Sequence, residues 1–129
     1  MKKKLYFLDE LMLLNLPSNQ YVVFGSGPLA AKGLRYVNDL DIIVMPDLWK
    51  KLEEKYRDKK VKDDVIRIGN IEIFKSWILP FDNTEELINS ADVIDGIRFV
   101  RLEYVLQWKQ ILNREKDKED IKLIQDYLK

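Results

Sequence analysis

Two aspartates separated by one residue, Asp39 and Asp41, stand at the head of the apolar run Ile42, Ile43, Val44. In a strand, residues two apart point to the same face. Both carboxylates therefore aim at one point, while Leu40 and Ile42 turn the other way into a core. Like charges side by side repel, and they are best tolerated with a cation between them. Hard oxygen ligands of this kind suit Mg²⁺. The surrounding segment, YVVFGSGPLAAKGLRYVNDLDIIVM over residues 21–45, reads as a strand, a glycine-serine turn, a short helix, a loop and a second strand.

Composition narrows the chemistry. The chain has 129 residues, 47% hydrophobic and 34% charged, a globular profile with room for one core. We expect one domain over 1–129, with an N-terminal helix over 1–19, a sheet core over 20–100 and C-terminal helices over 101–129. Net charge is zero, so no global field draws the chain to nucleic acid or an anionic membrane. There is no cysteine and no histidine. Disulfides, thiolate nucleophiles, Ser-His triads and imidazole-ligated metals are therefore excluded. Acid–base work falls to Asp, Glu, Lys or Tyr, and a metal must be held by oxygen.

The opening MKKKLYFLDELMLLNL has the basic start and apolar middle of a signal peptide, but Asp9 and Glu10 interrupt it and no small-residue cleavage site follows. It reads instead as an amphipathic helix with the stripe Leu5, Leu8, Met12, Leu16, closed by Pro17. No apolar run is long enough to cross a bilayer, and the expected compartment is the cytoplasm.

Further along, Pro28 suits the first position of a helix and Gly33 ends it. Pro46 and Asp47 start another helix, through Tyr56. The charged tract 53–64 reads as that helix's solvated end plus a loop. Residues 65–74 form a hairpin around Gly69-Asn70, with Ile68 opposite Ile71 and Arg67 opposite Glu72. Residues 77–83 are loop, and Thr84 caps a short helix through Ser90. A second hairpin turns at Asp95-Gly96. The tail is helical, with one stripe at Leu102, Val105, Leu106 and Leu112, and another at Ile121, Ile124 and Leu128. The class is α+β, a mixed sheet flanked by helices with C-terminal helices after it.

Gly25 lets backbone approach a ligand closely, Ser26 offers a hydroxyl, and the following N–H groups favour phosphate. GSGPLA also satisfies a dinucleotide fingerprint, but there the acidic residue lies at the carboxyl end of the second strand, and here the carboxylates precede it. A Walker A loop is excluded because no Gly-Lys-Ser/Thr follows. Glu72, between Ile71 and Ile73, completes a three-carboxylate cluster of the kind that holds two metal ions about 3.5–4 Å apart. The plainer alternatives are an Arg67–Glu72 cross-strand pair and, for Asp39, a solvated turn with Asn38. Asp41 fits a solvated turn poorly. Trp77 and Trp108 read first as core or loop-covering residues, and second as stacking platforms for a nucleobase.

FGSGPLAAKG, NDLDIIV and IEIF together resemble the polymerase-beta-type nucleotidyltransferase superfamily: a glycine-serine turn, an Asp-x-Asp pair opening the next strand, and a third carboxylate on a neighbouring strand. The tail LEYVLQWKQILNREKDKEDIKLIQDYL is similar to the pattern of its small members, including AbiE-type toxins and minimal nucleotidyltransferases. The third carboxylate is Glu where Asp is commoner, and the loop between Ser26 and Asp39 is longer than in compact members. The resemblance implies that Gly25 and Ser26 hold a triphosphate and that Asp39 and Asp41 bind both metals. It implies that Glu72 binds one metal and deprotonates the attacking hydroxyl, and that Lys109, Arg114 and Lys116 reach phosphates. For these last three, the mixed-sign run 114–120 also reads as a solvated face with i,i+4 pairs.

The implied activity is transfer of an NMP from an NTP, with Mg²⁺ or Mn²⁺, to an acceptor hydroxyl on tRNA, a partner protein or a small molecule, releasing pyrophosphate. The alternative is a nucleotide-binding or toxin–antitoxin-type module of the same fold without turnover.

Overall fold

A computed structural model describes residues 8–129. The part of the expected N-terminal helix before residue 8, with Leu5 of its stripe, lies outside them. Among these residues, seven strands form one mixed sheet in the order β3 (Lys60–Lys62), β4 (Val65–Ile68), β5 (Ile71–Phe74), β2 (Leu40–Val44), β1 (Tyr21–Phe24), β7 (Ile97–Phe99), β6 (Asp92–Ile94), and six α-helices flank it.

β1 (Tyr21–Phe24) and β2 (Leu40–Val44) are central and antiparallel to each other. β2 runs parallel to β5 (Ile71–Phe74), and β1 parallel to β7 (Ile97–Phe99). In the central strands the two-residue period sorts side chains between two layers. One face collects Val23, Leu40, Ile42, Val44, Ile71 and Ile73. It is covered by Leu11 of α1 (Leu8–Leu13) and by Leu48, Trp49 and Leu52 of α3 (Pro46–Lys55). The other face gathers Val22, Phe24 and Ile43 under α4 (Thr84–Asn89), α5 (Leu102–Leu112) and α6 (Lys118–Leu128). The short α2 (Gly27–Ala31) serves both layers, Leu29 on the second side and Ala30 and Ala31 on the first.

The β4 (Val65–Ile68)–β5 hairpin has the expected register, Ile68 opposite Ile71 and Arg67 opposite Glu72. Gly69 holds φ at +58°, and a Cβ there would come within 2.5 Å of Glu10 Oε1. Glu10 in turn accepts from the Asn70 side chain at 3.0 Å. The Asn70 carbonyl accepts from Leu40 N at 2.9 Å. That chain of bonds ties α1, the hairpin turn and the start of β2 together. The second hairpin, β6 (Asp92–Ile94) to β7, turns at Asp95 and Gly96. Both have positive φ, as a type I′ turn requires.

Four expectations are corrected. The buried side chain of α1 is Leu11, whereas Met12 is 60% exposed, and the helix stops at Leu13 rather than running to Pro17. Asn15 takes a left-handed φ of 51° and breaks the helix first. Asn83, not Thr84, caps α4, its side chain accepting from Glu86 N, and Thr84 is buried as the first helical residue. Part of the charged tract 53–64 is not loop: Lys60–Lys62 forms β3, an edge strand whose lysines and irregular register suit an edge. On α6 the core-facing residues are Leu123 and Ile124, and Leu128 is 40% exposed. Among the described residues no helix is long and apolar enough to cross a membrane.

Ile73, fully buried on β5 between β4 and β2, tests the first layer. Ile73→Ala is expected to lower stability by about 2–5 kcal/mol through lost burial and the cavity left behind, read as a lower urea midpoint at unchanged slope.

Candidate active site

The paired strands place the acidic residues. Asp41 is the second residue of β2, lying opposite Glu72 on parallel β5 and opposite Phe24 on antiparallel β1. Asp39 sits just before the strand. The carboxylate oxygens of Asp39, Asp41 and Glu72 lie within 4.8 Å of one another. Leu40 and Ile42 point the other way and are buried, as the two-residue period requires. The cluster is on the α5–α6 side of the sheet, where Phe24 and Ile43 enter the second core.

Gly25 follows β1 with φ at +66°, and a Cβ there would stand 2.5 Å from Asp41 Oδ2. The glycine is therefore required twice, by its left-handed backbone and by the carboxylate next to it. The close approach expected from the sequence was to a ligand. The close approach in the fold is to Asp41.

Burial first, then the charges of Asp39 and Glu72, push the Asp41 carboxyl up to about 7, against the weaker pull of Lys109 and Arg67. Asp39 is raised too, by burial and then by the charge and hydrogen bond of Glu72. Arg67 Nη2 reaches Glu72 Oε2 at 3.2 Å, so the cross-strand pair foreseen as the plainer role is present. It does not exclude the cluster: Arg67 is 55% exposed, and one screened guanidinium does not offset three carboxylates. The three donors are hard oxygens, one from each residue close enough together to hold a divalent cation, whose charge would reverse the upward shifts.

Facing the cluster across a cleft of about 460 Å³ is a wall whose cations come from α5 (Lys109), the turn between α5 and α6 (Arg114, Lys116) and the loop carrying Arg35. Lys109 is almost fully buried. Its Nζ donates to Ser26 Oγ at 3.3 Å and to Asp117 Oδ1 at 3.3 Å, and pairs with Asp120 Oδ2 at 3.0 Å. Arg114 holds Asp117 through two bonds of 2.6 and 3.0 Å, and Arg35 holds Asp120 through two of 2.9 and 2.8 Å. Burial alone would raise the Asp117 carboxyl, but the hydrogen bond from Arg114 and the nearby charges of Lys109 and Arg114 win and lower it. Lys116 also lines the cleft. Lys109, Arg114 and Lys116 are thus brought together beside Gly25, Ser26, Asp39 and Asp41, with Lys109 and Arg114 already engaged by carboxylates.

Within the run 114–120 the solvated-face reading holds for the exposed Lys118–Glu115 pair and fails for the buried Asp117 and Asp120. These two aspartates and Arg35 are the wall residues that sequence reasoning missed. Asp117 and Asp120, three apart, share a helical face with each other, which is a legible signal. Arg35 meets Asp120 across 85 positions, and no local pattern reveals that. Trp77 stacks on Phe24 with centroids 4.7 Å apart, and Trp108 packs edge-on to both, which is the core role expected first.

The fold is similar to that of a Thermotoga maritima chain described provisionally as a nucleotidyltransferase, at a TM-score of 0.55 and 18% identity, over 88% of this chain and 91% of that one. No family model matches the sequence, and no curated protein matches it. The likeness is one of fold: an α+β chain with a mixed sheet flanked by helices and two helices after it.

Two outcomes are expected. In the metal-free protein, the folded chain keeps a proton on Asp41 that the unfolded chain has released, so this group's contribution to stability falls as pH rises from about 4 to 7. With EDTA present, Asp41→Asn should therefore gain on wild type between pH 4.5 and 8, by up to about 3 kcal/mol, read by urea unfolding at the two pH values. Asp120→Ala strips Lys109 and Arg35 of a partner and should destabilise by about 3–5 kcal/mol, the cost of a buried pair broken on one side, measured in the same way.

Proposed function

We propose that the chain is a metal-dependent nucleotidyltransferase, moving an NMP from an NTP to an acceptor hydroxyl with release of pyrophosphate. The observation that carries this reading is the convergence of the Asp39, Asp41 and Glu72 oxygens within 4.8 Å, across a cleft from Lys109 and Arg114. An acidic cluster facing a cationic wall is complementary to a triphosphate–metal complex, which carries both signs of charge.

Asp39, Asp41 and Glu72 are the residues that would hold the cation. When bound, it would neutralise the triphosphate and clamp the attacking and leaving oxygens. The remaining work falls to the chain's own groups. The Ser26 hydroxyl, steadied by Lys109, takes phosphate oxygens at the β1 side of the cleft. Lys116 and the cationic edges of Arg114 and Lys109 hold the pyrophosphate end. Glu72 accepts the acceptor's proton as its oxygen bonds to the α-phosphorus and the bond to the bridging oxygen breaks. The leaving pyrophosphate takes that electron pair. Apart from that proton transfer, catalysis is positioning and charge complementarity.

The wild-type protein should transfer label from [α-³²P]NTP to a component of cell extract with Mg²⁺ or Mn²⁺, and EDTA should abolish transfer. Asp41→Asn should lower the rate by about 100-fold or more, the scale of losing one charge-stabilising group. Transfer that is unchanged in Asp41→Asn would remove the mechanism.

A further inference from the structure

β5 carries Glu72 and Phe74 on the same face. Glu72 belongs to the acidic cluster, but Phe74 lines a separate groove of about 430 Å³. Trp77 and Trp108 are shared between this groove and the cleft, and Val65, Ile78 and Leu112 complete its apolar lining. Its volume lies within the range of small-molecule sites. Its charged lining residues among those described, Lys62 and Asp64, are one of each sign, whereas the cleft sets Arg35, Lys109, Arg114 and Lys116 against four aspartates. A triphosphate is matched by the cleft, and an uncharged flat ring by the groove.

Position decides which reactant the ring belongs to. In the order β5-β2-β1, Ser26 follows β1 and is held by Lys109 of α5, while the groove takes its Phe74 from β5. A ligand seated against Phe74 is therefore two residues along the same strand face from Glu72, and two strands away from the turn after β1. Trp77 is edge-on to Phe74 at 4.9 Å and to Trp108 at 5.2 Å, which leaves an aromatic lining for that ligand. The Trp77 indole N–H is buried and has no hydrogen-bond partner among the described residues, an unsatisfied donor in the residue shared by groove and cleft. Ile78 is 45% exposed at the edge, apolar surface that a seated ring would cover.

We propose that this groove is the acceptor site and that the acceptor is an uncharged aromatic alcohol or phenol, its ring packed against the Phe74–Trp77 pair and its hydroxyl toward Glu72. The chemistry that follows binding rests on the transferase reading. The hydroxyl oxygen bonds to the α-phosphorus of the NTP, its proton goes to Glu72, and the bond to pyrophosphate breaks with the electron pair leaving on pyrophosphate. Binding itself needs no turnover.

The test uses the full chain, ¹⁵N-labelled, titrated with N-acetyl-tyrosinamide and 4-(2-hydroxyethyl)phenol, with glycerol and N-acetyl-serinamide as controls. The aromatic probes should shift the Trp77 and Trp108 indole signals saturably and leave that of Trp49, buried in the opposite layer, in place. The controls should shift none. Ile78→Glu, a change at an exposed position, should weaken the aromatic probes about tenfold by setting a charge against the ring. Indole signals indifferent to the aromatic probes would overturn the proposal. So would competitive displacement of the probes by Mg-ATP, which would give the groove to the nucleobase. Saturable aromatic binding alongside an absence of NMP transfer to any acceptor would overturn the transferase reading and leave the groove standing. Transfer to extract components without aromatic binding would do the reverse.

Discussion

Three carboxylates share one face of adjacent strands, and the sheet must tolerate their mutual repulsion and partial burial. The strand register brings this about: Asp41 beside Glu72 across a parallel pair, with Asp39 one step before the strand. The upward displacement of Asp41 and Asp39 is the thermodynamic mark of that placement. Free energy is given up locally because Leu40, Ile42, Ile71 and Ile73, on the same strands, are fully buried on the opposite face. Burial of each such side chain is worth about 1.5–3 kcal/mol, enough for the strands to hold a strained acidic edge in register.

The cleft's second wall solves the opposite problem. Lys109 carries its charge into the protein and is matched there by Asp117 and Asp120, which are matched in turn by Arg114 and Arg35. Such a network is costly when any member is unpaired, so it fixes α5, α6 and the loop carrying Arg35 relative to one another. Because Lys109 also reaches Ser26, the same network sets the turn after β1. The acidic and cationic walls are thereby held at a fixed separation by two unrelated sets of contacts, strand pairing on one side and ion pairs on the other.

Much of this was legible because it is local. The shared face of Asp39 and Asp41 follows from a two-residue period, and the Arg67–Glu72 register follows from a two-residue turn at Gly69-Asn70. What was misread depended on neighbours in space. Met12 fits a helical stripe as well as Leu11 does, and only α1's orientation on the sheet chooses between them. Lys60–Lys62 has no apolar alternation, and it is a strand because β4 offers it an edge. Thr84 and Asn83 are both competent caps, and the burial of Thr84 gives the role to Asn83.

The order of residues was sufficient to determine an α+β chain, an oxygen-only set of metal ligands, and the direction in which Asp39, Asp41 and Glu72 point along their own strands. These follow from composition and from backbone periodicity, which act within a few residues. Only the tertiary structure decided that Gly25 is small because Asp41 crowds it, that Lys109 is buried between Asp117 and Asp120, and that Arg35 crosses to α6. Each of those depends on a distance between segments far apart in the chain, and such a distance exists only once the two hydrophobic layers have closed on the sheet.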